Sequence, residues 1–368
     1  MSNSGLYVHV PFCRTKCAYC GFFSQTDLSL ASIWLDDLNT EARLYKNFSG
    51  PFDSLFLGGG TPTVLSPSQL EGLANCLFTV FSFEDSTEFT VEANPDDITG
   101  DLPALLKDLG VNRVSLGVQS LLEEELAFLG RRHSALQAEK ALDQVREAGF
   151  KSLSIDLIYG LPGQTISSWL KTLRRTLTFE PDHLSCYQLT LEKHTPLRRL
   201  MAEKKIRKAR VKEEREFFLA TSQFLEQEGY LHYEVSNFAR PGHHCRHNLK
   251  YWDRSPYLGL GPAAHSFDGT ARWWNTRSLR RYRRRLLCGH APIAGKEILS
   301  EENRIMECLL LGLRTTKGIE IGLIRDVPEW GSRVRQLEES GLVVIREQRV
   351  LPTLEGLLHA DGLPLVFV

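Results

Sequence analysis

The chain has 368 residues, 42% hydrophobic and 24% charged, the composition of a globular and not a disordered chain, with enough apolar surface for a sizeable core. Lys plus Arg (44) against Asp plus Glu (45) leave a formal net charge of -1, so no global field draws the molecule to nucleic acid or anionic lipid, and any polyanion site must be local. No apolar run approaches the ~18 residues of a membrane span, and the polar opening "MSNSG" lacks the charged and apolar regions of a secretory signal, so a cytoplasmic, reducing location is expected.

The first predicted strand, "LYVHVPF" (6–12), runs straight into Cys13, Cys17 and Cys20. In a reducing compartment such a cluster reads as a metal site and not as a disulfide framework. Further short apolar runs at 54–60, 89–95, 113–120, 153–160 and 183–190 read as buried parallel strands. Helical patterns alternate with them, at Pro67 to Phe83, at Trp169 to Leu177, and in "LQAEKALDQVREAGF", where Ala138, Ala141, Leu142, Val145 and Ala148 recur at helical spacing and Gly149 stands where a C-terminal cap belongs. Cys76, Cys186 and Cys308 fall in apolar stretches and are expected to be buried structural thiols.

Six strand–helix units in alternation predict a parallel sheet with right-handed crossovers, either doubly wound or curled into a barrel. Polar and glycine-bearing positions cluster where each strand ends: Cys13, 58–61, Glu92 and Asn94, Gln119 and Ser120, Asp156 and Gly160. Groups on so many strand ends meet at one point only if the sheet curves. The expected α/β fold is therefore an incomplete (β/α)6 barrel over residues 1–235. A helix at about Lys212 to Glu228 precedes a connecting region, 236–294, rich in aromatics, Gly and His and carrying "CRHNLKYW" and the basic run "RSLRRYRRR" (277–285). Residues 295–368 read helix, helix, two short strands and helix, a smaller winged-helix-like α+β domain. Its second helix, "SRVRQLEES", is mixed in charge, which favours packing against the barrel over contact with nucleic acid.

The spacing C-x3-C-x2-C presents three thiolates to one inorganic centre. A structural zinc site uses four ligands, and so does an ordinary [4Fe-4S] cluster, so three thiolates leave one iron open. This stretch, with Tyr19 before the last cysteine, resembles the signature of the radical S-adenosylmethionine superfamily. The resemblance implies a [4Fe-4S] cluster on Cys13, Cys17 and Cys20, whose open iron chelates the amino and carboxylate groups of S-adenosylmethionine. "GGGTP" (58–62) supports it, because glycines let backbone approach a ligand closely.

Across essentially the whole chain, "LYVHVPFC", "LFLGGGTPTVL", "EANP", "LGVQS", "LGRRHS", "IDLIYGLPGQT" and "YQLT" are similar to the branch of that superfamily containing the oxygen-independent coproporphyrinogen III dehydrogenases and the heme chaperones. Matched motif by motif, the resemblance implies S-adenosylmethionine contacts at Tyr7, Tyr19, Gly59, Gly60, Thr61, Glu92, Gln119, Arg131, Asp156 and Thr190. Two departures favour the chaperones: Phe22 stands where the dehydrogenases carry a further cysteine, and only six residues precede Tyr7, where they carry a long N-terminal extension. The chaperone motif HNxxYW is present as His247, Asn248, Tyr251 and Trp252. His247 is the expected heme ligand, with His243, His244 and Cys245 in competition, and Tyr251 and Trp252 offer apolar faces to the macrocycle.

The resemblance thus implies a protein that binds heme, a cluster and S-adenosylmethionine and passes heme to acceptor apoproteins; the alternative is oxidative decarboxylation of coproporphyrinogen propionates. It further implies an electron donor for the cluster and allows a homodimer. The basic run at 277–285 is expected to meet heme propionates or, at most peripherally, lipid headgroups.

Overall fold

The computed structural model describes residues 4–367 except Ser49, His194, Lys204 and Lys208. The six expected strands all form: β1 (Ser4–Val10), β2 (Phe52–Gly59), β3 (Phe83–Ala93), β4 (Arg113–Gln119), β5 (Ser152–Tyr159) and β6 (His183–Gln188). They are parallel and neighbour one another in chain order. Their crossovers carry α1 (Ala31–Leu44), α2 (Pro67–Val80), α3 (Leu102–Asp108), α4 (Glu123–Leu129), α5 (Ala135–Glu147) and α6 (Ile166–Leu177). After β6 come α7 (Pro196–Ala202) and α8 (Val211–Gln227). The helix signals act as read. α5 starts on a capping box between Ser134 and Gln137, buries Ala138, Ala141, Leu142 and Val145, and stops at Gly149, whose φ of 68° suits a residue without Cβ.

Period-two alternation decides what faces where. Leu55, Leu57, Val91, Val114, Leu116, Leu153, Ile155, Leu157 and Leu184 pack outward against helix residues such as Trp34, Leu38, Leu73, Leu142 and Trp169 in one continuous core. The intervening positions, among them Ser54, Glu92, Ser115, Ser154, Asp156 and Ser185, turn to the concave inside. The parallel strands are thus buried on both sides, with a polar interior where apolar layers usually fill a closed barrel.

The expected connecting region is built into this same sheet. β7 (Leu231–Glu234) and β8 (Asn237–Ala239) add to β6, and beyond α9 (Arg246–Trp252) the strand β9 (Tyr257–Leu260) pairs in parallel with β1 at the other edge. β10 (His265–Phe267), β11 (Ala271–Asn275) and, after α10 (Leu279–Leu287), β12 (Ile293–Ile298) extend that edge antiparallel. The result is a curved sheet of 12 strands whose end strands do not meet, an incomplete barrel.

A separate, smaller core of Leu309, Leu313, Ile319, Val334, Leu337, Val343 and Val350 belongs to the C-terminal domain. It comprises α11 (Glu301–Gly312), β13 (Ile319–Glu320), α12 (Trp330–Glu339), β14 (Val343–Arg346), β15 (Arg349–Pro352) and α13 (Leu354–Leu358), with β13, β15 and β14 antiparallel, a winged-helix-like arrangement. It is tied to the barrel by Arg254 to Glu307 at 3.2 Å, by Val235 N to Arg314 O at 3.0 Å and by the Arg215–Glu355 pair. Among the described residues no helix is long and apolar enough to cross a membrane.

Candidate functional site

β1 ends at Val10; two residues on, Phe12 is fully buried edge-on against Trp34, and the chain then leaves regular structure. The loop that follows is closed at its base by Cys13 N to Gln25 O (3.0 Å) and Gln25 N to Pro11 O (2.8 Å). His9, buried in β1, reaches across it, its Nε2 at 2.7 Å from Phe23 O. Burial holds that imidazole neutral, lowering its pKa to about 4. Outside, Lys16 donates to Phe22 O (3.2 Å) and Arg277 to Gly21 O (3.0 Å).

Cys13, Cys17 and Cys20 are free thiols, partly exposed, and line a cavity of about 420 Å³. Burial pushes the Cys13 and Cys20 thiols above their ordinary value. Among the described residues no three His, Cys, Asp or Glu side chains converge on a single point as a mononuclear ion requires.

The far wall comes from the ends of the strands. Gly60 N bonds Val10 O (2.8 Å) and Thr61 N bonds Phe12 O (2.7 Å), zipping the end of β2 to the base of the loop. Gly59 has φ 95°, and a Cβ there would stand 2.3 Å from His9 Nδ1, so only glycine fits. Glu92 accepts from Gly59 N at 3.0 Å, and Ser115 Oγ donates to Asp156 at 3.2 Å. These two carboxyls face the same cavity. Desolvation and the proximity of Asp156 raise the Glu92 pKa to about 8, and Asp156 is also raised by burial. Two like charges on a walled surface favour a cationic or hydroxyl-bearing guest.

A hydrogen-bond chain joins two of the thiols through this wall. Thr61 Oγ1 donates to Cys13 Sγ (3.5 Å), Asn94 Nδ2 to Thr61 Oγ1 (2.9 Å), Arg131 Nη2 to Asn94 Oδ1 (2.5 Å), and Arg131 Nη1 to Cys17 Sγ (3.4 Å). Arg131 also bonds Gly117 O (2.6 Å) and Tyr19 OH (3.5 Å), while its buried Nε has no partner. Gln119, at the end of β4, takes a strained φ of 68° beside the cavity.

Of the ten positions expected around S-adenosylmethionine, the structure brings nine together on this cavity: Tyr19, Gly59, Gly60, Thr61, Glu92, Gln119, Arg131, Asp156 and Thr190. Tyr7 is set apart, one layer deeper, its hydroxyl 3.2 Å from His9 Nδ1 and its ring against Phe56 and His247. Sequence reading left out Asn94 as a contact, although its place at a strand end was the available signal. It also missed Tyr187, which turns inward from β6 by simple alternation.

The HNxxYW segment lies at the opposite, N-terminal end of the barrel. α9 inserts there as a plug. His247 is 1% exposed, with Nδ1 at 3.0 Å from Ser54 Oγ, Nε2 at 3.0 Å from Tyr251 OH, and backbone N donating to Glu88 at 3.2 Å. Burial drives its pKa to about 3. Lys250, next on the plug, pairs with Asp53 at 2.7 Å. Both ring nitrogens of His247, the expected heme ligand, are therefore engaged in this arrangement. Cys245 is buried as well, its thiol pushed up to about 12, while His243 and His244 are half-buried nearer the surface. Cys76 and Cys186 are the buried thiols expected. Cys308 differs: it is half-exposed and accepts from Arg254 at 3.3 Å, because its helix faces the barrel with a polar side.

The Radical SAM superfamily model matches residues 7–176, and the model of the HemN C-terminal domain matches 299–359. A protein of Bacillus subtilis (strain 168) named heme chaperone HemW is 34% identical over 367 residues, covering 96% of this chain and 96% of that protein. One of the same name from Mycobacterium tuberculosis (strain CDC 1551 / Oshkosh) is 33% identical, covering 97% and 93%. Among solved structures, coproporphyrinogen III oxidase (HemN) from Escherichia coli, a radical SAM enzyme, superposes with a TM-score of 0.85 at 27% identity, covering 99% of this chain and 90% of that one.

Proposed function

Since the chain belongs to the HemW family of the radical SAM superfamily, we propose that it is a heme chaperone that carries a [4Fe-4S] cluster on Cys13, Cys17 and Cys20 and binds S-adenosylmethionine in the adjoining cavity. The observation that carries this reading is the convergence of three free thiols with Glu92, Asp156 and Arg131 on one cavity at the strand ends. Thiols set around a cavity suit a cluster whose irons each take one of them better than they suit a single ion. When bound, the cluster supplies an open iron for the amino and carboxylate groups of S-adenosylmethionine and a reducing electron.

The chain's own residues would do the rest. Glu92 and Asp156 accept hydrogen bonds from a cationic ligand's ammonium or ribose hydroxyls, which offsets the desolvation that raises the pKa of each. Arg131, with Nε unpaired, is the fixed cation nearest the cysteines and orients a carboxylate or screens thiolate charge. Gly59 and Gly60 line the cavity with bare backbone, because their Cβ positions are taken by the His9 ring and by the Val10 and Phe12 carbonyls. A cavity of about 420 Å³ is of small-molecule size.

Heme is read as cargo of segment 243–252. Ligation by His247 requires α9 to leave the barrel floor, whereas His243 and His244 already lie near the surface. The fold likeness to the coproporphyrinogen III oxidase supports the second reading, oxidative decarboxylation, and Phe22 in place of a further cysteine weighs against it. The test is anaerobic reconstitution followed by iron analysis, S-adenosylmethionine binding, heme titration and incubation with coproporphyrinogen III. Cluster, S-adenosylmethionine and heme binding without protoporphyrinogen support the chaperone; robust protoporphyrinogen formation overturns it.

A further inference from the structure

The loop bearing the cysteines is surrounded by cations that the rest of the molecule does not neutralise. The whole chain is nearly charge-balanced, 44 basic against 45 acidic residues, so positive charge gathered at one place is local. On one flank Leu197 N donates to Ala18 O at 3.0 Å, which seats α7 on the loop and leaves its Arg198 and Arg199 exposed. On the other, Arg277 bonds Gly21 O, and α10, starting two residues later, exposes Arg280 and Arg281. Lys16 projects from the loop itself. Among the described residues none of Lys16, Arg198, Arg199, Arg280 and Arg281 forms an ion pair with a carboxylate; the acids on the α7 flank are Glu192, packed against Gly21, and Glu203, one turn after Arg199 and paired with Lys205. In their midst Phe22, two residues past Cys20, is 65% exposed.

We propose that this rim is the docking surface for an acidic one-electron carrier protein, a reading that rests on the cluster being held by Cys13, Cys17 and Cys20. An exposed aromatic ringed by charge has the anatomy of an interface core and rim. Redox encounters use small interfaces steered by complementary charge. Docking here sets the carrier against the loop that bears the thiols, at the lip of the cavity that Phe22 and Lys16 also line. The carrier is oxidised by one electron and the cluster reduced by one, with no bond made or broken. Five cations on two helices and a loop exceed what the two carboxylates of a single heme can pair. Nor does α10 offer lipid a continuous apolar face, since it turns Tyr282 and Leu286 into the core and leaves Leu287 exposed among arginines.

The test uses the full-length reconstituted protein, an Arg198→Glu/Arg199→Glu/Arg280→Glu/Arg281→Glu variant, and an Arg335→Glu/Arg346→Glu control on the C-terminal domain. The probe is a purified acidic [2Fe-2S] ferredoxin. We expect wild type and control to bind oxidised ferredoxin with an affinity that falls with salt. The fourfold variant should lose roughly tenfold or more in affinity and in the rate of cluster reduction by reduced ferredoxin. Iron content and reduction by dithionite should not change. The two half-variants, each expected to lose about threefold, carry the test should the fourfold change unfold the chain. Equal ferredoxin binding by wild type and variants, or no binding by wild type, overturns the proposal. So does sedimentation of wild type but not the variant with phosphatidylglycerol vesicles while ferredoxin reduction is unaltered, which assigns the patch to lipid. A wild type without iron–sulfur absorption overturns the cluster reading beneath it; a normal cluster with unaltered ferredoxin binding overturns the docking alone.

Discussion

Replacing His247 by Ala separates a structural plug from a dispensable ligand. In the folded chain its imidazole is 1% exposed, holds Ser54 and Tyr251 at 3.0 Å each, and packs against the rings of Tyr7 and Phe56. Two hydrogen bonds worth about 1 kcal/mol each, net, disappear, and Ser54 and the Tyr251 hydroxyl are left to find other partners. The cavity left by the ring adds roughly 1–2 kcal/mol. The sum is about 3 kcal/mol, a large part of the stability of an ordinary domain. His247→Phe keeps the volume but not the bonds and should cost less, about 2 kcal/mol. The assay is urea unfolding of the apoprotein followed by tryptophan fluorescence. The barrel and the C-terminal domain have separate cores, so two transitions are fitted, and only the barrel midpoint should move. A barrel midpoint within about 0.5 kcal/mol of wild type for His247→Ala would show that the plug does not rest on this histidine and would refute the reasoning. If heme binds through segment 243–252 only after the plug is released, the same variant should bind heme more readily through His243 or His244, even as it unfolds more easily.

Substituting Cys13, Cys17 or Cys20 by Ala should each abolish iron–sulfur absorption after reconstitution, while Cys76→Ala and Cys308→Ala retain it; zinc without iron in wild type would sink the cluster assignment. Asn94→Ala breaks the chain between Thr61 and Arg131 and should weaken S-adenosylmethionine binding about tenfold by equilibrium dialysis with iron content kept, since a charged hydrogen bond is worth about 1.5 kcal/mol or more. Glu41 lies fully buried between α1 and the β9–α10 edge, accepting from Gly261 N (2.7 Å), Asn275 (2.6 Å) and Tyr282 (2.5 Å), and desolvation raises its pKa from 4.5 to about 7. Because the folded form holds the proton more tightly, its contribution is present below pH 4.5 and is lost as pH rises through 7. The stability of wild type relative to Glu41→Gln should therefore fall by roughly 3 kcal/mol over that span, and a flat difference in a pH series of urea midpoints would contradict it.

The central barrel was legible because its strands are short apolar runs bounded by turn residues and its helices carry plain caps, as at Ser134 and Gly149. The site was legible for a related reason: Cys13, Gly59, Glu92, Gln119 and Asp156 stand at strand ends, and curvature brings strand ends together whatever the intervening helices do. The second edge of the sheet was not legible. β8 and β10 have three residues each and β9 four, too few for a period of two to show, and β9 pairs with β1 across some 250 positions, a contact that no local pattern announces. The burial of His247 was missed for the same reason. Its partners Ser54 and Glu88 lie on strands about 190 and 160 residues earlier in the chain, and a histidine among aromatics reads locally as an available ligand.

The two ends of the barrel are joined by direct contact along β1. His247 stacks on Tyr7 in the floor, the Tyr7 hydroxyl meets His9 Nδ1, and His9 Nε2 meets Phe23 O in the cysteine loop. Alternation on one strand puts Tyr7 and His9 on the same inner face, and the cysteines follow three residues after the strand ends, so this order is set by spacing alone. Gly5 completes it from below: a Cβ there would come within 2.7–3.0 Å of Lys250, Ser54 and His247, so the plug seats only because that position is bare. Withdrawal of α9 would therefore remove packing from Tyr7 and, through it, a restraint on His9. Continuity of contact is not coupling until the strand is shown to have two arrangements. A plug that leaves the floor does remove the ring stacked on Tyr7, whose hydroxyl meets the imidazole that closes the loop around the thiols.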